Sequence, residues 1–256
     1  MQTEQPKFKF YATLLDSFTS YLRSDAIWDR FWGFSENPPH TPDEFKEKQF
    51  QSLIDTINRV PFDSEAADKG TAFNEVIDCM IENRKSETVQ VERLLSDTAN
   101  GRQALVGLRA TYNNRQFDFP ISICREFAAY YKGALTQQRV ESILHTCFGD
   151  VLVYGVIDEL MPMSVHDIKT TGSYYVGKFK DHWQHIVYPY CLMQNGSDVR
   201  LFEYNITDFK NTYTETYTFV PERDIPILVN HCEEFIRFLN DNRNLITDKK
   251  IFAEDA

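Results

Sequence analysis

The sequence has few residues that break regular structure and no long apolar segment. Its 256 residues include only 10 Gly and 10 Pro, while hydrophobic residues make up 42%. This composition is typical of a globular protein and argues against a disordered or fibrous chain. No apolar run approaches the roughly 20 residues that span a bilayer, and the N-terminal stretch MQTEQPKFKFYATLL lacks a secretory pattern. We therefore expect a cytoplasmic protein without a membrane partner.

Cysteine is scarce, and the cysteines do not form a recognisable cluster. The five are widely scattered and include no CxxC pair, which argues against a zinc knuckle or a redox pair. We expect them to behave as small buried hydrophobic residues. They are Cys79, Cys124, Cys147, Cys191 and Cys232.

Basic residues are outnumbered by acidic ones, 27 to 38, so the formal net charge is −11. Proteins that grip the DNA backbone usually show a basic footprint, and the net charge therefore argues against tight, non-specific DNA binding. It does not exclude nucleic acid, because a carboxylate-rich metal site adds negative charge and a local basic patch can coexist with an acidic whole.

The apolar pattern predicts helices in the first part of the chain. Residues 1–60 are predicted to be a helical extension interrupted by a loop at 28–40, and residues 61–256 to be the main domain of one globular unit. A third helix is predicted to begin after Ser64, and residues 86–110 are expected to be partly helical.

The second part of the chain is predicted to alternate between strands and helices. Three strands in close order, separated by the turn sequences GD and MPM, predict an antiparallel meander. They cover residues 139–148, 151–160 and 164–170. A hairpin or turn is expected at 112–121, helices at 122–133, 178–194 and 223–242, and strands at 199–206 and 212–220. This order predicts an α/β or α+β protein with one mixed sheet flanked by helices.

Three charged side chains interrupt two of these apolar strands. Asp167 and Lys169 are two residues apart and share one face of their strand, and the short turn before them brings Asp158 opposite Asp167, about 5 Å away. Two carboxylates that close repel each other unless a cation lies between them, and Mg²⁺ favours oxygen ligands. The pattern indicates either a metal site or an exposed cross-strand salt bridge, which would contribute little to stability.

Four motifs containing these residues resemble the PD-(D/E)XK nuclease superfamily, in particular its RecB-like exonuclease branch. GVID at 155–158 and DIK at 167–169 resemble the D-Xn-(D/E)-X-K core, with the G-x-x-D form typical of that branch. Upstream, GTAFNEVID at 70–78 resembles its G-T-x-F-H-x-x-x-E helix motif, and downstream QHIVY at 184–188 resembles its Q-x-x-x-Y motif. Each pattern is weak alone, but all four occur in the family's order.

The resemblance implies a metal centre for Mg²⁺ or Mn²⁺. Asp158 and Asp167 would be metal ligands, with the backbone carbonyl of Ile168 as a further ligand. Lys169 would act on the attacking water, and Asp78 would take the place of the Glu in the helix motif, as a ligand or a supporting group. The alternative for Asp78 is a solvated helix position, with Glu75 and Glu82 as other available acids.

The resemblance also implies substrate-binding residues and shows two departures from the motif. Gln184 and Tyr188, four residues apart on one helical face, would hold DNA or order Lys169, and Thr71 would bind substrate. The alternative for the first two is ordinary helix surface and core. Asn74 stands where the motif often has His, so it is a weaker ligand, and Asp78 is one methylene shorter than Glu. The cysteine spacing does not match the four-cysteine iron–sulfur cluster of some relatives, so none is expected.

The resemblance implies a restriction-endonuclease-like core, with elements in the order αβββαβ. It predicts a metal-dependent nuclease that hydrolyses phosphodiester bonds in DNA, with exonuclease action in end processing, recombination, repair or mobile-element metabolism favoured. The implied partner is DNA, and a recombination protein or a second copy of the chain are further options. The alternative is a catalytically inactive protein of the same fold that binds nucleic acid or assembles a complex.

Overall fold

The computed structural model describes residues 5–98, Asn100 and residues 102–253. The helices of this part are α1 (Ala12–Leu22), α2 (Ser24–Trp32), α3 (Pro42–Ile57), α4 (Glu65–Glu82), α5 (Ile121–Tyr130), α6 (Gln184–Gln194) and α7 (Pro221–Asp241). The strands are β1 (Phe8–Tyr11), β2 (Gln90–Asp97), β3 (Gln103–Tyr112), β4 (Arg115–Pro120), β5 (Leu135–Thr146), β6 (Gly149–Leu160), β7 (Ser164–Thr170), β8 (Leu201–Thr207) and β9 (Thr212–Thr218). Short 3-10 helices at Arg243–Leu245 and Lys249–Phe252 follow α7.

The main sheet is mixed and has six strands. Its order is β1-β6-β7-β8-β9, with β5 paired to the other edge of β6. The β5–β6 and β6–β7 pairs are antiparallel, whereas β1–β6 and β7–β8 are parallel. The predicted meander is therefore confirmed, and so are the mixed sheet and the two strands after α6.

One edge of β6 is shared by two strands that leave a gap between them. β1 pairs with residues 151–154, and β7 pairs only with Glu159 and Leu160. Along this edge the stretch 155–158 thus has no ladder partner among the described residues. Strands that separate in this way leave backbone groups and side chains free to face each other across an opening, which makes this the natural place for a site.

Two apolar clusters cover opposite faces of β7. Val165 belongs to the larger cluster, built from β1, α1, α6 and α7 around the main sheet, whereas Ile168 belongs to a second cluster with α4, α5 and the strands β3 and β4. Because side chains alternate along a strand, Asp167 and Lys169 lie on the side of α6. His166 lies on the other side, against Tyr131. The sheet is thus flanked by helices on both faces.

The second sheet contains β2, β3 and β4 in antiparallel order. The prediction that residues 86–110 are partly helical is wrong, because these residues form β2 and most of β3. The β2 side chains are nearly all exposed, so they lack the apolar alternation that marks a strand in sequence. The hairpin expected at 112–121 is confirmed: Asn113 and Asn114, both with positive φ, join β3 to β4.

The first 60 residues are not entirely helical. β1 adds to the main sheet through parallel pairing with β6, and α1 buries Leu14, Leu15 and Phe18 in the larger cluster. The loop expected at 28–40 is shorter, because α2 continues to Trp32. The four residues of β1 are too few for a periodic signal, and their partner strand lies more than a hundred residues away in the chain.

Helix ends follow the local signals in most cases. α3 begins with a capping box between Thr41 and Glu44, and the Ser64 side chain accepts from the Ala67 amide at the start of α4. α6 begins at Gln184 rather than at 178. The amide of the preceding Trp183 donates to Asp16 Oδ1 of α1 at 2.7 Å. None of the helices within the described residues is long and apolar enough to cross a membrane.

Candidate active site

Asp158, Asp167 and Lys169 meet at the opening between β6 and β7. The register pairs Glu159 with His166, so one step further along the strands Asp158 lies opposite Asp167. The Ile168 amide donates to Asp158 Oδ2 at 3.0 Å, and Lys169 Nζ lies 2.6 Å from Asp167 Oδ2. Asp167 is buried, whereas Asp158 and Lys169 are partly exposed. The three charges predicted to converge are therefore close together, and they are not an exposed surface salt bridge.

Helix α4 reaches this opening with Asn74 and Asp78. Asn74 Nδ2 donates to Asp158 Oδ2 at 3.1 Å, and Gln137 Nε2 donates to Asp78 Oδ2 at 3.0 Å. The helix can come this close because Gly70 faces β7: a Cβ there would lie 3.3 Å from Thr170 Oγ1. Thr71, the next residue, is exposed.

Of the acidic residues on α4 that could serve the site, the structure brings only Asp78 to it. The Glu75 carboxylate is paired with Arg84 at 2.6 Å. Glu82 forms an ion pair with Arg84 and accepts a hydrogen bond from Thr136. Both alternatives to Asp78 are therefore bound to the same cation, Arg84.

Helix α6 holds Asp167 from the other side. Gln184 Nε2 donates to Asp167 Oδ1 and, at 3.3 Å, to the Tyr188 hydroxyl. Gln184 is 4% exposed and Tyr188 is 5% exposed. Their burial fits the positioning of Asp167 better than direct contact with a bound nucleic acid, which was one of the two roles expected for them.

Gly155, in the strand motif GVID, packs closely against Tyr188, in the helix motif QHIVY. A Cβ on Gly155 would lie 2.3 Å from Tyr188 Cε1, closer than any side chain can approach without a shift. The glycine is required because the Tyr188 ring packs directly on the β6 backbone. The two motifs are thus parts of one contact, and the tyrosine fixes the helix that carries Gln184.

Gly155→Ala is expected to destabilise the protein by about 1–3 kcal/mol, the usual cost of overpacking a core. The measurement is the thermal midpoint, which should fall by several degrees. Gly172→Ala is the matched control, because nothing lies within 4 Å of a Cβ at that position. In a Tyr188→Ala background the Gly155→Ala change should cost much less; an equal cost in both backgrounds would contradict the contact.

The pKa values of ionisable groups at the site are shifted from their ordinary values. Burial, and then the nearby Asp167 carboxylate, raise the pKa of Asp158 to about 8 despite the opposing charge of Lys169. Burial alone would lower the pKa of Lys169, but the Asp167 and Asp158 carboxylates outweigh it and the pKa is raised. Lys169 is therefore an ammonium ion at neutral pH. This suits a group that orients water or stabilises negative charge better than a general base.

Glu159 is a buried acid that the sequence reasoning missed. It is 0% exposed, and neither carboxyl oxygen has a hydrogen-bond donor from the protein. Burial, followed by the charge of Asp78, raises its pKa to about 9, and burial raises the pKa of Asp78 to about 6. Burial and the Asp78 charge therefore favour the protonated, neutral form of Glu159. The available signal was the second acid of VIDEL, adjacent to the recognised Asp158.

The oxygen-rich surroundings fit Mg²⁺ or Mn²⁺. Asn74 Oδ1, Asp78 Oδ1 and Gln184 Oε1 are buried without a hydrogen-bond partner. Across the described ranges, no group of three or more His, Cys, Asp and Glu side chains is arranged to hold a metal. A divalent cation at this opening would therefore rely on two carboxylates together with amide or backbone oxygens and water, and Mg²⁺ commonly keeps several waters.

No protein-family model matches the chain, and no curated protein matches it in sequence. The chain is similar to the crystal structure of SSO0001, with a TM-score of 0.47 and 10% sequence identity. The similarity covers 93% of this chain and 79% of that chain. It is too distant to support a conclusion about function.

Proposed function

We propose that the protein is a metal-dependent nuclease of the PD-(D/E)XK type that hydrolyses phosphodiester bonds in DNA, most readily as an exonuclease. The observation that carries the proposal is the convergence of Asp158, Asp167 and Lys169 at the opening between β6 and β7. The surrounding sheet and helices agree with a restriction-endonuclease-like core, which is part of the proposal. DNA as the partner, Mg²⁺ or Mn²⁺ as the cofactor and a cytoplasmic location belong to it as well.

Each side chain has a role in this proposal. Asp158 and Asp167 would hold the cation, with the Ile168 carbonyl, Asp78 and Asn74 as further oxygen donors. Mg²⁺ or Mn²⁺ supplies a Lewis acid for the scissile phosphate and increases the acidity of bound water.

Lys169 would orient the attacking water and offset the negative charge that builds up on the phosphodiester. Gln184 fixes Asp167 through a hydrogen bond to its Oδ1, and Tyr188 supports Gln184. A charged lysine is an advantage in this role, because it presents a fixed cation where negative charge develops.

The experiment that tests the proposal is digestion of end-labelled linear duplex and single-stranded DNA, with closed circular DNA as the topological control. It is run with Mg²⁺, Mn²⁺ and EDTA. Wild-type protein is expected to shorten linear DNA only when metal is present. Asp158→Asn should lose this activity, whereas Asp198→Asn, which changes an aspartate whose side chain is 80% exposed, should keep it.

The outcomes separate the proposal from its alternative. Cutting of circular DNA as well would still support the proposed active site, but it would make the protein an endonuclease. Folded wild-type protein that cuts no DNA with either metal would favour a catalytically inactive protein of this fold. Two observations support that alternative, namely the net charge of −11 and the presence of Asn74 in place of the motif's His.

A further inference from the structure

We propose that a groove beside the candidate active site binds single-stranded DNA through alternating cationic and aromatic side chains. The proposal rests on the proposed function, and it names the form of the substrate. The groove, called here the Arg30 groove, lies between α1, α2 and the segment 175–182 and has a volume of about 280 Å³. Its lining includes Arg23, Ile27, Arg30, Phe31, Tyr175 and Lys178.

The Arg30 groove carries two exposed aromatic rings with a cation close to both. The Arg30 guanidinium lies 4.3 Å from the centre of the Tyr175 ring and 5.8 Å from that of Phe31. Phe31 is 60% exposed and Tyr175 is 38% exposed. An unpaired base can stack on such rings and on a guanidinium plane, whereas the bases of a duplex are covered by their neighbours. The arrangement therefore favours a single strand.

The charges of the Arg30 groove suit a phosphate backbone even though the protein as a whole is acidic. The lining has three cations, Arg23, Arg30 and Lys178, and two acids. One of the acids, Asp181, is paired with Arg23 at 2.6 Å, and the other, Asp16, accepts from the Trp183 amide. Within the part of the chain that is described, Arg30 makes no ion pair with a carboxylate. Arg30 and Lys178 are thus the cations left to contact phosphate.

The Arg30 groove lies next to elements that hold the candidate active site. Lys178 Nζ donates to the Thr171 hydroxyl and, at 2.7 Å, to the Ser173 carbonyl, just beyond the Lys169 end of β7. Asp16, on the groove wall, accepts from the Trp183 amide, and the next residue, Gln184, donates to Asp167. A strand lying in the groove would therefore pass close to the helix end that positions Asp167.

A second cleft is lined by Thr171, the residue to which Lys178 of the Arg30 groove donates. Its lining also includes Lys69, Thr170 and Phe209 together with the acids Glu65 and Asp208. Lys69 Nζ lies 4.1 Å from the Phe209 ring centre. A cation thus lies over an aromatic ring in both clefts. The inference gives α2, at residues 24–32, a function in holding substrate.

The test is fluorescence anisotropy with fluorescein-labelled oligo(dT) in EDTA, so that cleavage does not interfere. Wild-type protein should bind, and Arg30→Ala and Phe31→Ala should each weaken binding about tenfold, the effect of losing one stacking contact. Arg139→Ala is the control for charge, because Arg139 lies on β5 and is paired with Glu141. Arg30→Ala should also reduce the dependence of binding on salt. If a change in α2 impairs folding, Tyr175→Ala provides the same test from outside a helix.

The result that would overturn the inference is wild-type affinity for oligo(dT) in all three groove variants, or no binding by the wild type. Digestion of end-labelled single-stranded and duplex DNA with Mg²⁺ is measured in parallel to keep this separate from the proposed function. Digestion without oligo(dT) binding would retain the nuclease and reject the groove. Binding that depends on Arg30 without any digestion would support the groove and reject the nuclease.

Discussion

Lys169→Met is expected to lower metal-dependent DNA hydrolysis by about 10²–10³-fold, the usual effect of removing one group that stabilises charge in a transition state. The raised pKa of Lys169, held up by Asp167 and Asp158 against the effect of burial, keeps this side chain charged under assay conditions. Methionine has a similar length without the charge. The measurement is the initial rate of loss of end-labelled linear DNA in Mg²⁺.

A matched control separates this effect from a general loss of cationic surface. Lys85→Met changes an exposed lysine after α4 and should leave the rate unchanged. Lys169→Met also removes the ion pair with buried Asp167, so its thermal midpoint in EDTA should fall. Folding is therefore checked at the assay temperature. Activity of folded Lys169→Met within a few-fold of wild type would remove Lys169 from the mechanism.

Glu159→Gln is expected to stabilise the metal-free protein at alkaline pH. The folded-state pKa of Glu159, about 9, is raised above its ordinary value by burial and then by Asp78. For a group shifted in this direction, the contribution to stability is full below the ordinary pKa and is lost as pH rises through the folded pKa. Glutamine stays neutral, so the variant escapes this loss.

The size of the expected difference in stability follows from the two pKa values of Glu159. Between the two pKa values of Glu159, each pH unit costs the wild type about 1.4 kcal/mol from this one group. A cost of 1 kcal/mol corresponds to about 2–4 °C in the thermal midpoint of a protein approaching this size. Wild type should therefore melt several degrees below Glu159→Gln at pH 8 in EDTA, and the difference should shrink as pH falls toward 5.

The exposed Glu87→Gln is the control for a change in net charge and should behave as wild type throughout. Burial is the main cause that raises the pKa of Asp158 to about 8 and that of Asp78 to about 6. Both groups therefore lower the stability as pH rises, as Glu159 does. Some decline with pH should therefore remain in Glu159→Gln. A variant that is less stable than wild type at both pH 5 and pH 8 would show that the carboxyl is not held neutral in the interior.

Several features follow from local sequence alone. The meander of β5, β6 and β7 could be predicted because alternating apolar residues and short turns are local signals. The same holds for the start of α4 at Ser64, where the capping side chain acts on its own first turn. The pairing of Asp158 with Asp167 also follows, because a short turn between antiparallel strands determines which residues face each other.

Other features depend on parts of the chain that are distant in sequence. β1 joins the main sheet only because β6 offers a free edge for its four residues, and β2 is a strand because β3 supplies its hydrogen bonds. Their own side chains carry little periodic signal. In both cases the backbone partner, rather than local preference, decides the structure.

The sequence by itself determined which residues carry the candidate chemistry: the two aspartates and the lysine, in strands where a charge is costly without a partner. Only the tertiary structure decided how they are supported. It buried Gln184 against Asp167, required glycine at 155 beneath the Tyr188 ring, and placed Glu159 beside Asp78. It also brought Arg30 to Tyr175. These outcomes depend on burial and on contacts between distant segments, which exist only once the chain has folded.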